Sequence, residues 1–455
     1  MPRRFAFPLL AIALPALAVS APPADPLVKS VEVDTVKSGR GGGTTWFHPR
    51  GCTLPDGTVV WTLQDITGSD VFGPVHWTAS RDDGKTWTDP QPVPGLGRKK
   101  LPGGVEAGVC DVVPEYHPTT GTVLAIGHTV NHKGGRFYKD QPPRHPVFAV
   151  RAKDGTWSDA RKLEWDDPRG AYIYTCGCAQ RATLPDGVVL VPVSFGPTPN
   201  AARSVSTLLC GFDGRTLTVK KVGTELKGKV GRGLLEPSIA AFGGRFYLTI
   251  RAEDGKGYVS PSDDGLAWGE PKAWAWDDGT PVAMSTTQQR WLPHSDGLYL
   301  VYTRRDDSNV NVARWRAPLF LARVDPATMR LVRATERVAV PLVGDGVREP
   351  AKVAHLGNFH TQAVTADESW VTVGEVIPTT WRGDLLLARV RWAKPNAFAP
   401  RPRRPGPSAV PSEPSRRDRN STDRRGLPAW APRWDEGARR RSVSRSVIGD
   451  GCGQI

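Results

Sequence analysis

Six times along the chain, a short polar turn is followed by a run of branched and aromatic residues. Leu54-Pro55-Asp56-Gly57 precedes the run at 58–63, and Leu184-Pro185-Asp186-Gly187 precedes the run at 188–193. Looser turns at 118–121, 243–244, 295–297 and 366–368 precede runs at 122–126, 245–250, 298–302 and 369–373. Such runs favour strands, and Asp and Gly favour the tight hairpins that join them. The turns recur at intervals of about 54–71 residues, which is longer than a WD40 repeat but suits one four-stranded antiparallel sheet with its loops. The pattern predicts an all-β chain of six sheets. The apolar alternation at 28–36 precedes the first unit and is expected to complete the last sheet, closing a ring without exposed edges.

A second repeat follows the first. Ser80-Arg81-Asp82-Asp83-Gly84-Lys85-Thr86-Trp87 fits S-x-D-x-G-x-T-W in full. A degraded copy at 262–268 lacks the first Ser and the Thr, and Asp154-Gly155-Thr156-Trp157 is a shorter one. Asp and Gly close a turn there and Trp covers the sheet edge, so these residues read as structural staples remote from any chemistry. With these motifs the chain resembles the sialidase-like superfamily of six-bladed β-propellers, marked by this Asp-box (BNR) repeat, over residues 28–397.

The resemblance implies an exo-acting glycoside hydrolase that needs no cofactor and no metal. It also implies an Asp acid/base, a Tyr nucleophile assisted by Glu, and three Arg that clamp a substrate carboxylate through their planar forks. Gly68-Ser69-Asp70-Val71-Phe72-Gly73-Pro74 resembles the acid/base loop, with Asp70 the acid and an apolar setting expected from Val71 and Phe72. Glu236-Pro237-Ser238 with Leu248-Thr249-Ile250-Arg251 resembles the Glu and second-Arg segment, and Arg290 takes the place of the third Arg. Two elements depart from the family. The first-Arg stretch reads Phe47-His48-Pro49, with Arg50 displaced, and the last blade opens Gly357-Asn358-Phe359-His360 without a Tyr. An intact sialic-acid mechanism is therefore not expected. Two other readings stay open: an arabinan-type glycosidase using two carboxylates, and a carbohydrate-binding propeller without catalysis.

Strand arithmetic locates a mouth. Seven residues span about 23 Å of strand. Counting back seven from each turn gives Arg50, Pro114, Gln180, Glu236, Arg290 and Thr361; counting forward gives Gln64, His128, Ser194, Arg251, Arg304 and Glu375. Nearly all are polar, while the strands between are apolar. The expected site is this ring, with Asp70, Glu236 and, in reserve, Glu375 as the catalytic carboxylates. Arg50, Arg181, Arg251, Gln289, Arg290, Arg304 and His360 are the expected substrate-binding residues.

Charge sharpens the picture only after it is divided. The whole chain carries +14. The Pro/Ser/Arg-rich tail at 398–455 holds thirteen Arg against six acids and reads as disordered. Arg3 and Arg4 head an apolar run ending in Ala16-Leu17-Ala18, an export-signal pattern over 1–21. The body keeps about +5, which suits a glycan, possibly anionic, and removes the case for nucleic acid. No segment after the signal is apolar enough to span a membrane. The expected location is periplasmic or extracellular, a compartment that permits disulfides, and one at Cys176-Gly177-Cys178 would stiffen the third entry loop.

Overall fold

The computed structural model describes residues 25–400, so the signal pattern at 1–21 and all but the first three residues of the tail lie outside the described residues. The chain forms six small antiparallel sheets arranged as a six-bladed β-propeller. Each blade is counted from its innermost strand. Blade 1 starts with Trp46–Thr53, blade 2 with Val105–His117, blade 3 with the split pair Ile173–Thr175 and Ala182–Thr183, blade 4 with Leu235–Phe242, blade 5 with Arg290–His294 and blade 6 with His355–Thr365. All six expected turns join the innermost strand of a blade to its second strand. The two matching turns have the same hydrogen bonds. Leu54 N donates to Thr58 O at 2.8 Å and Thr58 N to Asp56 Oδ1 at 2.9 Å, while Leu184 N donates to Val188 O at 2.8 Å and Val188 N to Asp186 Oδ1 at 3.0 Å. Gly57 and Gly187 take φ of 85° and 86°, which a Cβ would resist.

The second strands are near-continuous apolar runs because each blade is covered on both faces. Val59, Val60, Trp61 and Leu63 in Val59–Gly68, and Val191 and Val193 in Val189–Gly196, have no exposed surface. The core is a series of wedges between neighbouring blades rather than one central mass. Ring closure follows the expected route: Val28–Lys37 pairs antiparallel with Leu385–Trp392, with Val31 opposite Val390 and Val33 opposite Ala388. N-terminal and C-terminal segments thus share one sheet.

The outer turn at 80–87 is held by its own side chains. Ser80 Oγ bonds Asp82 Oδ1 at 2.9 Å, Gly84 N donates to Ser80 Oγ at 2.9 Å, and Thr86 Oγ1 donates to Asp82 Oδ2 at 2.6 Å. Trp87 packs on Trp61 at 3.9 Å between ring centroids and reaches Trp370 of blade 6. Contrary to expectation, the copy at 262–268 does not lack its first Ser: Ser262 plays the part of Ser80, bonding Asp264 Oδ1 at 3.0 Å and accepting from Gly265 N at 2.9 Å, and the mismatch arises because the turn is one residue shorter. The five cysteines of the body are free and buried, so the expected stiffening of the third entry loop does not come from a disulfide at Cys176 or Cys178. Among the described residues no helix is long and apolar enough to cross a membrane.

Trp370 is fully buried where blade 6 meets blade 1. Trp370→Ala is expected to cost about 3–5 kcal/mol by leaving a cavity at the ring's closing seam; the shift in urea unfolding measures it, and a change under 1 kcal/mol would mean the seam relaxes.

Candidate functional site

The innermost strands do not run smoothly. Their pairing with the second strands slips between Phe47 and Arg50, Cys110 and Val113, Leu235 and Ser238, and Gly357 and His360. Each slip holds one non-glycine residue at positive φ: His48 at 53°, Asp111 at 58°, Glu236 at 44° and Asn358 at 46°. In blade 3, Cys178 stands between the two inner strand pieces at φ 60°. A bulge adds an unpaired residue and re-aims its side chain. The left-handed backbone costs an ordinary residue about 1–3 kcal/mol. Asp111, Glu236 and Asn358 line one cleft of about 320 Å³ at this end of the propeller, and His48 packs beside Asn358.

Asp111 is the hub of the floor. Its Oδ1 accepts from Arg50 Nη2 at 2.5 Å, from Cys178 Sγ at 3.0 Å and from Asn358 Nδ2 at 3.4 Å. Burial is the largest single influence and favours the protonated acid, but Arg50, the two histidines and the Cys178 hydrogen bond together outweigh it and hold the carboxyl well below the usual range. Asn358 Nδ2 also meets His48 Nε2 at 2.9 Å. Burial pushes His48 down to about 3 against the opposing pull of Asp111, and pushes His128 down to about 3 with help from Arg144. Both imidazoles are therefore neutral at pH 7. Cys110, Asp111 and His128 bring one metal-ligand atom each within 4.8 Å of one another. Burial holds the Cys110 thiol protonated and Arg50 occupies the other Asp111 oxygen, so this trio is better suited to hydrogen bonding than to a cation.

Glu236 sits on the wall. Its Oε1 accepts from Arg251 Nη1 at 2.6 Å, whereas its Oε2 is buried without a partner. Arg251 is steadied from the other side by Thr286 Oγ1 at 3.1 Å. Asp70 stands at the tip of the hairpin between Val59–Gly68 and Val71–Phe72, at φ 57°, and lines the same cleft. The apolar setting expected for it is absent. Val71 and Phe72 turn inward, Phe72 packing on His48 at 4.4 Å, and leave Asp70 exposed to solvent.

The other expected residues divide by height and by blade face. Arg50 is fully buried under the floor, and Arg290 lies equally deep with all three guanidinium nitrogens unpartnered, burial and Arg50 pushing it down to about 9. Gln289 is buried between blades and accepts from Thr249 Oγ1 at 2.5 Å. Glu375 is tied to Arg40, with Arg40 Nη2 donating to Oε2 at 2.6 Å, and does not line the cleft. Arg304 faces outward, bound to Glu336 at 2.6 Å and stacked 4.2 Å over Phe320. Arg181 and His360 belong to the opposite end. Arg181 donates to Leu124 O at 2.7 Å, and His360 Nε2 meets Gly51 O at 3.0 Å. A larger hollow of about 590 Å³ at that end is walled mostly by apolar groups, with the chain's own Phe398 and Pro400 among them. Its one charged pair, Glu115 and Arg181, approaches to 3.5 Å, so its charges are matched within the hollow, whereas the smaller cleft holds charges without a bonded partner.

Strand counting thus brings Glu236, Arg251, His128 and Ser194 to the cleft beside Asp70, and misses Asp111, Arg144, Arg203 and Arg316. Arg144 and Arg203 come from loops that lead into third strands, where no inner-strand count reaches.

The fold has known counterparts. An unknown-function protein from Dyadobacter fermentans superposes with a TM-score of 0.57 at 15% identity, over 80% of this chain and 100% of that one. Trypanosoma rangeli sialidase, in complex with the inhibitor DANA, gives 0.53 at 14% identity over 80% of this chain and 60% of its own. A Hadza microbial sialidase gives 0.55 at 14% identity over 79% and 68%. No family model matches the sequence, and no curated protein does. At this identity the likeness establishes a sialidase-like propeller and leaves the chemistry to the site.

The buried neutral histidines make stability depend on acidity. An unfolded His binds its proton near pH 6.5, while folded His48 and His128 do so only near 3. Between these values the unfolded chain holds more protons, so stability is full above about 6.5 and falls as the pH drops. The loss approaches about 1.4 kcal/mol per pH unit for each such histidine. Urea unfolding at pH 7 and pH 5 is expected to show it, and His128→Gln to reduce the slope; a flat profile would mean the histidines are protonated in place.

Proposed function

We propose that the protein is an exo-acting glycoside hydrolase of sialidase-like architecture that releases a terminal acidic sugar from a glycan. The observation that carries this reading is the partnerless Glu236 Oε2, placed in a cleft that also holds Arg251, Arg316 and the overhanging Asp70. Arg251 and Arg316 suit a sugar carboxylate. Arg316 makes no ion pair among the described residues, and burial, Arg314 and Arg251 push it down to about 10, so an anion beside it relieves both the burial cost and the repulsion. Asp70 gives its proton to the glycosidic oxygen as the bond to the anomeric carbon breaks. Glu236 stabilises the positive charge that develops on that carbon and receives the proton of the attacking water. Asn358 contributes an amide where a Tyr nucleophile would be needed for the family's usual route, so two carboxylates carry the reaction. No cofactor enters it. The export-signal pattern at 1–21 supports a location in the periplasm or outside the cell.

The exposure of Asp70 favours one rival, a propeller that binds glycans without cleaving them. A panel of chromogenic glycosides, sialosides and uronides included, separates the two. Turnover of at least one acidic glycoside is expected, falling about 10²–10⁴-fold in Asp70→Asn and in Glu236→Gln. Measurable binding with no turnover on any sugar would establish the rival.

A further inference from the structure

The cleft has two halves, and only one is used by the reaction above. The unused half lies over blades 2 and 3 and presents His128, Arg144, Thr175, Ser194 and Arg203. Arg203 stands just ahead of Ser204–Phe212, its guanidinium half-buried and without hydrogen bond or ion pair among the described residues. Burial, then Arg144 and Arg232, push it down to about 10. Arg144 donates through Nε to Thr129 O at 2.9 Å and also has no carboxylate partner among the described residues. Of the acids in the cleft, Asp111 is already committed to Arg50 and Cys178, and Glu236, which acts on Arg203 only through space, is bonded to Arg251. His128 on the same wall is neutral, so it adds no further charge to theirs. Two cations are thus held close together in a half-buried wall with no acid bonded to either among the described residues, an arrangement that an anion would relieve.

The geometry of the donors narrows the anion. A carboxylate has two coplanar oxygens and is satisfied by a single guanidinium fork. Here the donors come from different strands, and Thr175 Oγ1 and Ser194 Oγ, 3.3 Å apart, add hydroxyls on the same wall. A group with three free oxygens pointing in different directions uses such a set more fully. We infer that Arg144 and Arg203 form a second anion subsite, and that the sugar accepted by this cleft carries a sulfate or phosphate ester in addition to its carboxylate. The inference rests on the acidic-sugar reading of the cleft and adds a second charged group to that sugar.

Binding tests it without requiring turnover. Isothermal titration of the full-length protein would use an unesterified uronic acid disaccharide, its monosulfated forms and its phosphate monoester. The wild type is expected to bind one ester at least about tenfold more tightly than the unesterified acid, and the sulfate and phosphate arms identify which. Arg203→Gln and Arg144→Gln are expected to lose that preference while binding the unesterified acid as the wild type does, with unchanged thermal unfolding. Equal affinity of the wild type for esterified and plain sugar would overturn the second subsite alone. So would an Arg203→Gln variant that weakens both ligands equally. If the wild type binds neither kind of sugar, the acidic-sugar reading fails and the second subsite fails with it.

Discussion

The site depends on a backbone constraint: the inner strands of the propeller must bend their own pleat to point anything into the cleft. An inner strand in regular alternation would send its side chains sideways into the wedges between blades, where Trp61, Trp291 and Trp370 lie. A bulge with one residue at positive φ breaks that alternation once per strand. His48, Asp111, Glu236 and Asn358 each occupy such a position, and Cys178 does the same where the third inner strand is split. None is a glycine, so each carries strain that the surrounding sheet must hold in place. Strain repeated in five blades at one end of the molecule concentrates polar groups there, and the bonded network around Asp111 recovers part of that cost.

Electrostatics follows from this placement. The floor is neutralised internally, Asp111 by Arg50 and the histidines by burial. The wall is only partly neutralised. Arg251 has Glu236 and Arg232 has Glu253, but Arg144, Arg203 and Arg316 have no acid among the described residues. The modest positive charge of the body is therefore not spread evenly. Much of it faces a single concave surface, where low dielectric strengthens its pull on an anion. The larger hollow at the opposite end differs: its lining is mostly apolar and its one charged pair is matched internally.

The fold was legible in the sequence, because turns and apolar runs are local signals and the same local sequence produces the same hydrogen bonds at Leu54 and Leu184. Closure by 28–36 was also legible, because an unpaired first strand and a last sheet lacking its outer strand solve each other. The site was legible only in part. Counting seven residues assumes an unbroken pleat. It therefore reached Glu236, which is itself the bulged residue, but landed on Arg50, Pro114, Gln180 and Thr361, two or three residues past the bulges of the other blades. Positive φ at His48, Asp111 and Asn358 leaves only a weak trace in residue type: His, Asp and Asn adopt it more readily than other non-glycine residues, but far less distinctively than glycine. Arg181, Arg304 and Glu375 illustrate a second limit. Each is a polar residue near a strand end, yet each is consumed by a structural partner that lies far away in sequence.

The two departures from the family pattern meet in space, and this bears on what the site has become. His48 stands in the first-Arg stretch and Asn358 where the last blade opens without its Tyr. They are 310 residues apart, yet Asn358 Nδ2 reaches His48 Nε2 at 2.9 Å and Asp111 Oδ1 at 3.4 Å. With Nδ2 donating, the imidazole proton sits on Nδ1, and one amide bridges two acceptors that would otherwise face each other at 3.5 Å. A neutral imidazole at 48 adds no third cation beside Arg50 and Arg316, and the Asn358 amide has two hydrogens to give to two acceptors. His48 and Asn358 therefore support one another across the closing seam of the ring. Because the pair is interlocked around an ionised carboxylate, replacing either side chain removes a partner from the other and disturbs the floor of the cleft that Asp111 organises.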